Sequence, residues 1–101
     1  MVQRPRGTRD FGPKEMQRRL AFESLLEEQA RRHGFSRIQT PIFESLDLFT
    51  AKSGPGVVSQ LYAFKDKGER DLTLRPELTA PVMRMVAEEL RNETKPLRLS
   101  Y

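Results

Sequence analysis

A proline-containing corner carries the residues best suited to chemistry. The segment TLRPELTAPVMR (73–84) places Glu77 directly after Pro76, with Thr79 two residues later. A strand that ends at Pro76 and a helix that begins near Thr79 would set a carboxylate and a hydroxyl at one corner. Together these groups can hold a substrate ammonium through charge-assisted hydrogen bonds. Alternatively, Glu77 or Thr79 caps the helix, and the residues by themselves favour this second interpretation.

Basic residues flank the corner and also occur near the start of the chain. Arg75 and Arg84 can bind phosphate or carboxylate. They can instead hold Glu77 or another acid in an ion pair, which is the commoner role of such arginines. Near the start, Arg9 and Asp10 are predicted to form a local turn and to pair with each other.

Other catalytic and metal-binding arrangements are missing from the sequence. The single histidine, His33, lies beside two arginines at a predicted helix end, which favours a surface cation over a proton shuttle. Without cysteine or a second histidine, a protein metal site is not predicted. The segment Gly54–Gly56 lacks the lysine of a phosphate-binding loop, and no nucleophile elbow is present. We therefore assign no catalytic residue and no metal ligand within the chain.

The composition narrows the class of protein. The chain has 101 residues, of which 37% are hydrophobic and 32% charged, with a net charge of +4 and no cysteine. The absence of cysteine agrees with a reducing compartment, and no apolar run resembles a signal peptide or a membrane span. We therefore expect a cytoplasmic protein that does not contact a membrane. The positive charge suits a nucleotide or nucleic-acid partner.

A long helix is predicted from Pro13 to His33, with Gly34 as its left-handed stop. Favourable i,i+4 ion pairs are expected between Glu27 and Arg31 and between Glu28 and Arg32. An apolar stripe runs along the same helix. This stripe either packs on the sheet of its own domain or forms part of a dimer seam, because an exposed strand edge needs cover.

The remaining pattern predicts an α+β fold with a mainly antiparallel sheet. Residues 35–43 are expected to form an edge strand, or a strand interrupted at Pro41. One or two helical turns and a GPGV loop follow, and residues 61–65 and 70–75 form a hairpin. A second helix begins near Thr79. A last strand over 97–101 shows no ending, which indicates a truncated domain with open apolar surface.

Several segments together resemble the histidyl-tRNA synthetases. They are RGTRDFGP, GFSRIQTPIFESLDLF and YAFKDKGERDLTLRPELTAPVMR, in the order and at about the spacing of that family. The helix and proline-bearing strand over 13–43 resemble motif 1 of the class II aminoacyl-tRNA synthetases. The resemblance covers nearly the whole chain, and LRPE-x-T-AP is its most specific part.

The resemblance implies a fold, a reaction and a binding site. Residues 1–101 would form the N-terminal part of a class II catalytic domain, an antiparallel sheet flanked by helices. The parent enzyme would join histidine to ATP with magnesium, and would pass the histidyl group to tRNA(His). The acidic-x-Thr element of the family, which binds the α-amino group of histidine, maps onto Glu77, Leu78 and Thr79. Pro41 would lie in a homodimer interface.

Other parts of the family's pattern are missing, and two other functions compete. The ATP-gripping motif 2, the histidine-specific loop, motif 3 and the anticodon-binding domain would follow Tyr101, so we predict that the chain alone does not activate histidine. An inert family paralogue that serves as a regulatory subunit of ATP phosphoribosyltransferase is the main alternative. A nucleic-acid module ranks last, because few aromatic residues are available as base-stacking platforms.

Overall fold

The structure, a computed structural model, describes all residues from Met1 to Tyr101. The chain divides into two compact units. The first unit comprises residues 1–37 and 98–100, and the second comprises residues 38–97 with Tyr101. Each unit contains helix and strand, so the predicted α+β class is confirmed.

The first unit is built on one long helix. Helix α1 spans Pro13–Arg32, with proline in its first turn, where the missing N–H costs no hydrogen bond. Gly34 adopts the predicted left-handed conformation, with φ of 83°. Strand β1 (Ser36–Arg37) then pairs with the last strand of the chain, Leu99–Ser100, and this pairing is parallel. The sheet of this unit therefore differs from the antiparallel arrangement expected for most of the chain.

One of the two predicted ion pairs on α1 is correct. The Arg32 Nε lies 3.2 Å from Glu28 Oε1. The expected pair between Glu27 and Arg31 is wrong, because Arg31 bonds Glu28 at 2.7 Å instead. Glu27 lies 3.7 Å from Arg37, which the chain reversal after the helix brings back beside it. The hydrogen bonds from Arg31 and Arg32 lower the pKa of the Glu28 carboxyl below its ordinary value.

The apolar stripe of α1 is open within the first unit. None of the residues of this helix is buried. Its leucine and phenylalanine side chains are more than half exposed, up to 67% at Leu25, whereas Met16 is partly buried. Packing on the sheet of the whole domain and a dimer seam therefore both stay predictions for this stripe. The structure contains no helix whose length and apolar content would let it cross a bilayer.

The second unit contains a three-stranded antiparallel sheet in the order β2-β4-β3. Its elements in chain order are β2 (Phe43–Ser45), α2 (Asp47–Ser53), a 3₁₀ helix (Pro55–Gln60), β3 (Ala63–Lys65), β4 (Asp71–Leu74) and α3 (Thr79–Glu88). The predicted helical turns after residue 44, the hairpin and the helix from Thr79 are confirmed. The strand at the end of the chain, Leu99–Ser100, is β5 and belongs to the first unit.

Two local predictions need correction. Residues 35–43 do not form one strand, because β1 and β2 belong to different sheets and Pro41 lies in the break between them. Because proline lacks an N–H, the sequence predicted either an edge strand or a strand interrupted at Pro41, and the structure shows the interrupted strand. The GPGV segment is not a plain loop, since Pro55 opens a 3₁₀ helix in which its fixed φ is favourable.

The two faces of the three-stranded sheet differ in chemistry. Thr73 is fully buried and lies opposite Glu44 in the register, on the face that α3 contacts through Arg84. The other face carries exposed apolar side chains, among which the Phe43 and Phe64 rings meet edge to face with centroids 6.1 Å apart. The open apolar surface expected from the sequence is therefore present.

Candidate functional site

The strand-to-helix corner opens onto a cleft of about 770 Å³ in the second unit. One part of its lining comes from α2 and the 3₁₀ helix, and another from the corner and the first turns of α3. The polar side chains that line it are those of Lys52, Ser53, Gln60, Glu77, Thr79 and Arg84. Apolar side chains fill the rest of the lining, which is the usual composition of a small-molecule site.

The Glu77 carboxylate caps helix α3. Its Oε2 accepts a hydrogen bond from the backbone N–H of Thr79 at 2.5 Å, and its Oε1 accepts one from Ala80 at 2.9 Å. Both N–H groups lie in the first turn of the helix, where no carbonyl of the helix is available to them. Of the two capping residues considered from the sequence, Glu77 is therefore the one observed, and Thr79 begins the helix instead.

Capping leaves the Glu77 carboxylate able to bind a ligand. An ionised carboxylate has about four acceptor positions, and the helix uses one on each oxygen. The two backbone bonds fix the orientation of the group, and the positive end of the helix dipole favours its negative charge. Glu77 can therefore cap α3 and accept a hydrogen bond from a substrate ammonium at the same time, so the two interpretations from the sequence are compatible.

The three residues predicted to contact substrate are placed differently. Glu77 and Thr79 both line the cleft, as the corner geometry requires. The side chain of Leu78 does not contribute to the lining and is partly exposed outside it. The structure therefore brings the carboxylate and the hydroxyl together without the apolar residue between them.

Arg84 is held by acids other than Glu77. Its Nε and Nη2 donate to the two oxygens of Glu44 at 2.9 Å each, and its Nη1 donates to Glu88 at 2.7 Å. The side chains of Glu44 and Arg84 are 6% and 26% exposed, so this is a largely buried pair. Bonding to Glu44 raises the pKa of the Arg84 guanidinium above its ordinary value. Of the two roles expected for Arg84, the ion pair is the one observed.

Glu44 is a site residue that no motif in the sequence indicates. This residue lies within an apolar segment, 40 positions before Arg84. Neighbouring side chains of a strand point to opposite faces, so Glu44 lies on the face opposite that of Phe43. This alternation is the one feature of the sequence that could have indicated its position. Its partner could not be deduced from that signal.

Arg75 contacts the backbone near Pro41 and forms no ion pair with Glu77. Its Nη1 lies 3.1 Å from the carbonyl oxygen of Thr40 and 3.3 Å from that of Pro41. Thr40 is buried, whereas Pro41 is exposed. Arg75 thus fixes the backbone of the exposed segment that contains Pro41.

Near the start of the chain, the expected pair of Arg9 with Asp10 is wrong. Arg9 Nη2 instead bonds Glu15 Oε2 at 2.6 Å, because α1 presents that carboxylate in its first turn. The guanidinium carbons of Arg9 and Arg19 lie 5.0 and 4.4 Å from the centre of the Phe11 ring. This segment is therefore held on the helix by charge and by aromatic contact.

The residues of the cleft do not fit a magnesium site. Magnesium prefers several oxygen ligands in octahedral geometry, usually including one or two carboxylates. Glu77 supplies the single carboxylate in the lining. No group of three or more histidine, cysteine, aspartate or glutamate side chains in the chain is placed to hold a metal ion. We therefore derive no reaction step through magnesium from these residues.

Comparison with known proteins points to one family. The family model for histidyl-tRNA synthetase matches residues 7–101. A histidine–tRNA ligase of Methanosarcina acetivorans is 59% identical over 100 residues, which are 99% of this chain and 24% of the relative. One of Methanospirillum hungatei is 54% identical over 101 residues, 100% of this chain and 25% of the relative. The chain therefore spans about a quarter of the length of the curated relatives that it matches.

Solved structures agree with this result. An apo histidyl-tRNA synthetase of S. aureus superimposes with a TM-score of 0.83 and 39% identity, over 98% of this chain and 24% of that chain. An ATP phosphoribosyltransferase regulatory subunit/histidyl-tRNA synthetase from Bacillus halodurans C superimposes with a TM-score of 0.81 and 32% identity. This match covers 100% of this chain and 26% of that chain. The fold thus matches part of the class II synthetase fold expected from the resemblance. With a family model that matches nearly its whole length, this chain belongs to the histidyl-tRNA synthetase family.

Proposed function

We propose that this chain is the N-terminal part of the catalytic domain of a histidine–tRNA ligase, and that its cleft receives the α-amino group of histidine. The observation that carries the proposal is the shared placement of Glu77 and Thr79 in one cleft. Glu77 has acceptor positions left after capping α3, and an ammonium needs such acceptors. Family membership supports the choice of histidine as the amino acid.

In this proposal the chain binds and orients the substrate but does not carry out the chemistry. Glu77 accepts hydrogen bonds from the ammonium, and the Thr79 hydroxyl accepts a further one. The helix cap holds the carboxylate in place before the substrate arrives, so little ordering is needed on binding. ATP, the magnesium that neutralises its phosphates, and the catalytic groups act on the bound histidine through residues outside this chain, so the isolated chain does not activate histidine.

The binding test compares two ligands and two variants in the full-length protein. Calorimetry with histidine and with imidazole-propionate, which lacks the amino group, measures how strongly that group is recognised. We expect wild type to prefer histidine by about 10- to 100-fold, the range of a hydrogen bond to a charged group. Glu77→Gln should remove most of this preference, and the part that remains is the hydrogen bond to the Thr79 hydroxyl. Glu93→Gln, an exposed acid outside the cleft, serves as the matched control.

A Glu77→Gln protein that keeps the full preference for histidine would remove the proposed role of this carboxylate. The pyrophosphate-exchange reaction with histidine then tests the activity of the whole protein. Exchange by the full-length protein and none by residues 1–101 is the expected result, and robust exchange by the short chain would contradict the division of roles proposed here.

The regulatory alternative is favoured by one specific comparison. The structure that carries both names, a phosphoribosyltransferase regulatory subunit and a synthetase, is 32% identical to this chain. Relatives named as histidine–tRNA ligases reach 54 to 59%, so the ligase is our proposal. A full-length protein without exchange activity that stimulates an ATP phosphoribosyltransferase would support the alternative.

We also propose tRNA(His) as a partner, and the charge distribution supports a polyanion. Residues 1–19 contain six lysines and arginines against two acids, whereas residues 20–101 contain twelve of each. The net charge of +4 therefore lies entirely in the first segment, which suits contact with phosphates. We expect the whole protein to act in the cytoplasm, where tRNA is charged.

A homodimer is proposed around the segment that contains Pro41. Pro41 and Ile42 are exposed next to the edge strand β2, and Arg75 fixes their backbone. An apolar segment that is rigid and exposed is a suitable contact surface. Sedimentation of the full-length Ile42→Asp variant should show loss of the dimer, and an unchanged dimer mass would place the interface elsewhere.

A further inference from the structure

Arg75 joins the end of β4 to the interrupted strand at Pro41. Its backbone N–H donates to the carbonyl oxygen of Ile42 at 3.0 Å, which extends the β2–β4 ladder by one residue beyond the pair of Phe43 with Leu74. Its guanidinium Nη1 lies 3.1 to 3.3 Å from three oxygens of the two residues before Ile42. Arg75 is thus held by its main chain and by its side chain.

The segment before β2 needs this side chain because proline interrupts the ladder there. Thr40 is buried, and a buried carbonyl without a hydrogen-bond partner costs free energy. The Nη1 of Arg75 donates to the Thr40 carbonyl and hydroxyl and to the Pro41 carbonyl, whereas no acid pairs with this arginine. The guanidinium therefore replaces the ladder bonds that this segment lacks.

Arg75 is connected to Glu77 by a short and stiff stretch of backbone. Pro76 lies between them, fixes its own φ and restricts the preceding Arg75 to an extended conformation. The Glu77 carboxylate is then held by the N–H groups of Thr79 and Ala80. Few backbone conformations are therefore open to the residues from Arg75 to Glu77, so the position of one constrains that of the other.

Two arginines hold α3 against β2. Arg84, in the middle of the helix, bonds Glu44 of β2, and Arg75, four residues before the helix begins, bonds the residues directly before β2. Only one residue separates β2 from α2, which forms another part of the cleft lining. Arg75 itself does not line the cleft. An arginine outside the cleft thus helps to set where Glu77 lies relative to α2.

We propose that Arg75 is a positioning residue for recognition of the amino group, because its bonds to residues 40–42 hold the Glu77 carboxylate in the place where it meets the substrate ammonium. This inference rests on the proposed function and adds a residue that does not touch the ligand. Since Arg75 acts through Glu77, its loss weakens recognition of the ammonium selectively, and does not weaken the binding of every ligand equally.

The test measures the preference for histidine over imidazole-propionate by calorimetry on the full-length protein. Arg75→Ala should lower this preference at least about threefold, which is part of the effect of a hydrogen bond to a charged group. Arg75→Lys keeps the charge but loses the planar fork, so its preference should lie between those of wild type and Arg75→Ala. Both dissociation constants come from one sample, so a partly unfolded variant does not change their ratio.

A double-mutant cycle measures whether Arg75 acts through Glu77. In the Glu77→Gln background, Arg75→Ala should cause little further loss of preference, because the group that it positions has been replaced. Equal losses in the two backgrounds would show that Arg75 acts by another route, and would overturn the proposal. Arg70→Ala, directly before the other end of β4 and outside the cleft, is the matched control and should leave the preference unchanged.

The outcome can be separated from that of the proposed function. If Glu77→Gln removes most of the preference while the Arg75 variants lose stability in urea but keep the preference, the amino site stands and Arg75 serves the fold alone. If Arg75→Ala does not fold, Arg75→Lys decides: a reduced preference supports the proposal, and a wild-type preference refutes it. If wild type shows no preference for histidine, the amino site and this inference fail together.

Discussion

Glu44 and Arg84 are 40 residues apart in the sequence, and they meet through two parallel hydrogen bonds of 2.9 Å in the second unit. The pair joins the edge strand β2 to the middle of α3. Because that helix begins at the cleft, the pair fixes the element that carries the Glu77 cap. The pair thus supports the geometry of the proposed ligand site, whose lining includes Arg84.

Loss of Glu44 should be costly. Glu44→Ala removes the main partner of Arg84, which is 26% exposed and keeps Glu88, and losing a hydrogen-bond partner of a charged group costs about 1–3 kcal/mol. Urea denaturation should show that decrease in the free energy of unfolding. Glu88→Ala removes the exposed partner of the same arginine and should cost no more than about 1 kcal/mol. Equal losses in the two variants would mean that burial does not set the strength of the pair.

Removal of the Glu77 cap should destabilise α3. Glu77→Ala frees two backbone N–H groups in the first turn, and the loss of a capping side chain costs about 0.5–2 kcal/mol. Thermal unfolding monitored by circular dichroism measures the effect. Glu89→Ala removes an acid at the other end of the same helix, where negative charge opposes the dipole, and should be neutral or slightly stabilising. A neutral Glu77→Ala would contradict the cap.

The hairpin turn should respond to acid. Asp66 accepts backbone hydrogen bonds from Arg70 and Gly68 and a side-chain bond from Arg70, and these lower the pKa of its carboxyl below the ordinary value. A lowered folded-state pKa means that the ionised group stabilises the turn above its unfolded pKa. That stability is lost as the pH falls through the folded pKa.

Carboxyl carbon shifts in NMR spectra, followed during an acid titration, measure the Asp66 pKa directly. It should lie below the ordinary aspartate value, and Arg70→Gln should raise it only part of the way back, because the backbone bonds remain. A midpoint at or above the ordinary value in wild type would show that the turn does not bind the carboxylate as described.

The basic N-terminal segment should contribute to tRNA binding through phosphates. Arg4 and Arg6 are exposed in it. The double variant Arg4→Ala/Arg6→Ala should weaken tRNA affinity uniformly and reduce the slope of log affinity against log salt by about 0.7–0.9 for each lost contact. Filter binding at several salt concentrations gives the slope. Lys67→Ala/Arg91→Ala, in the part of the chain with balanced charge, should leave the slope unchanged.

Several features followed from the sequence alone because their causes are local. Pro13 and Gly34 determined the two ends of α1, since one lacks an N–H and the other tolerates a positive φ. The hairpin followed from alternating residues around a glycine-containing turn. The corner with Glu77 and Thr79 could also be predicted from the sequence, because it needs only a strand end and a helix start a few residues apart.

The tertiary structure alone decided which distant groups meet. The parallel pairing of Ser36 with Leu99 and the ion pair of Glu44 with Arg84 join residues separated by tens of positions. A given charge has many possible partners at such separations, and packing selects one of them. The same holds for the cleft, where Lys52 and Glu77 line one space because α2 and α3 pack beside each other. Local sequence patterns describe neighbours along the chain, whereas a binding site depends on neighbours in space.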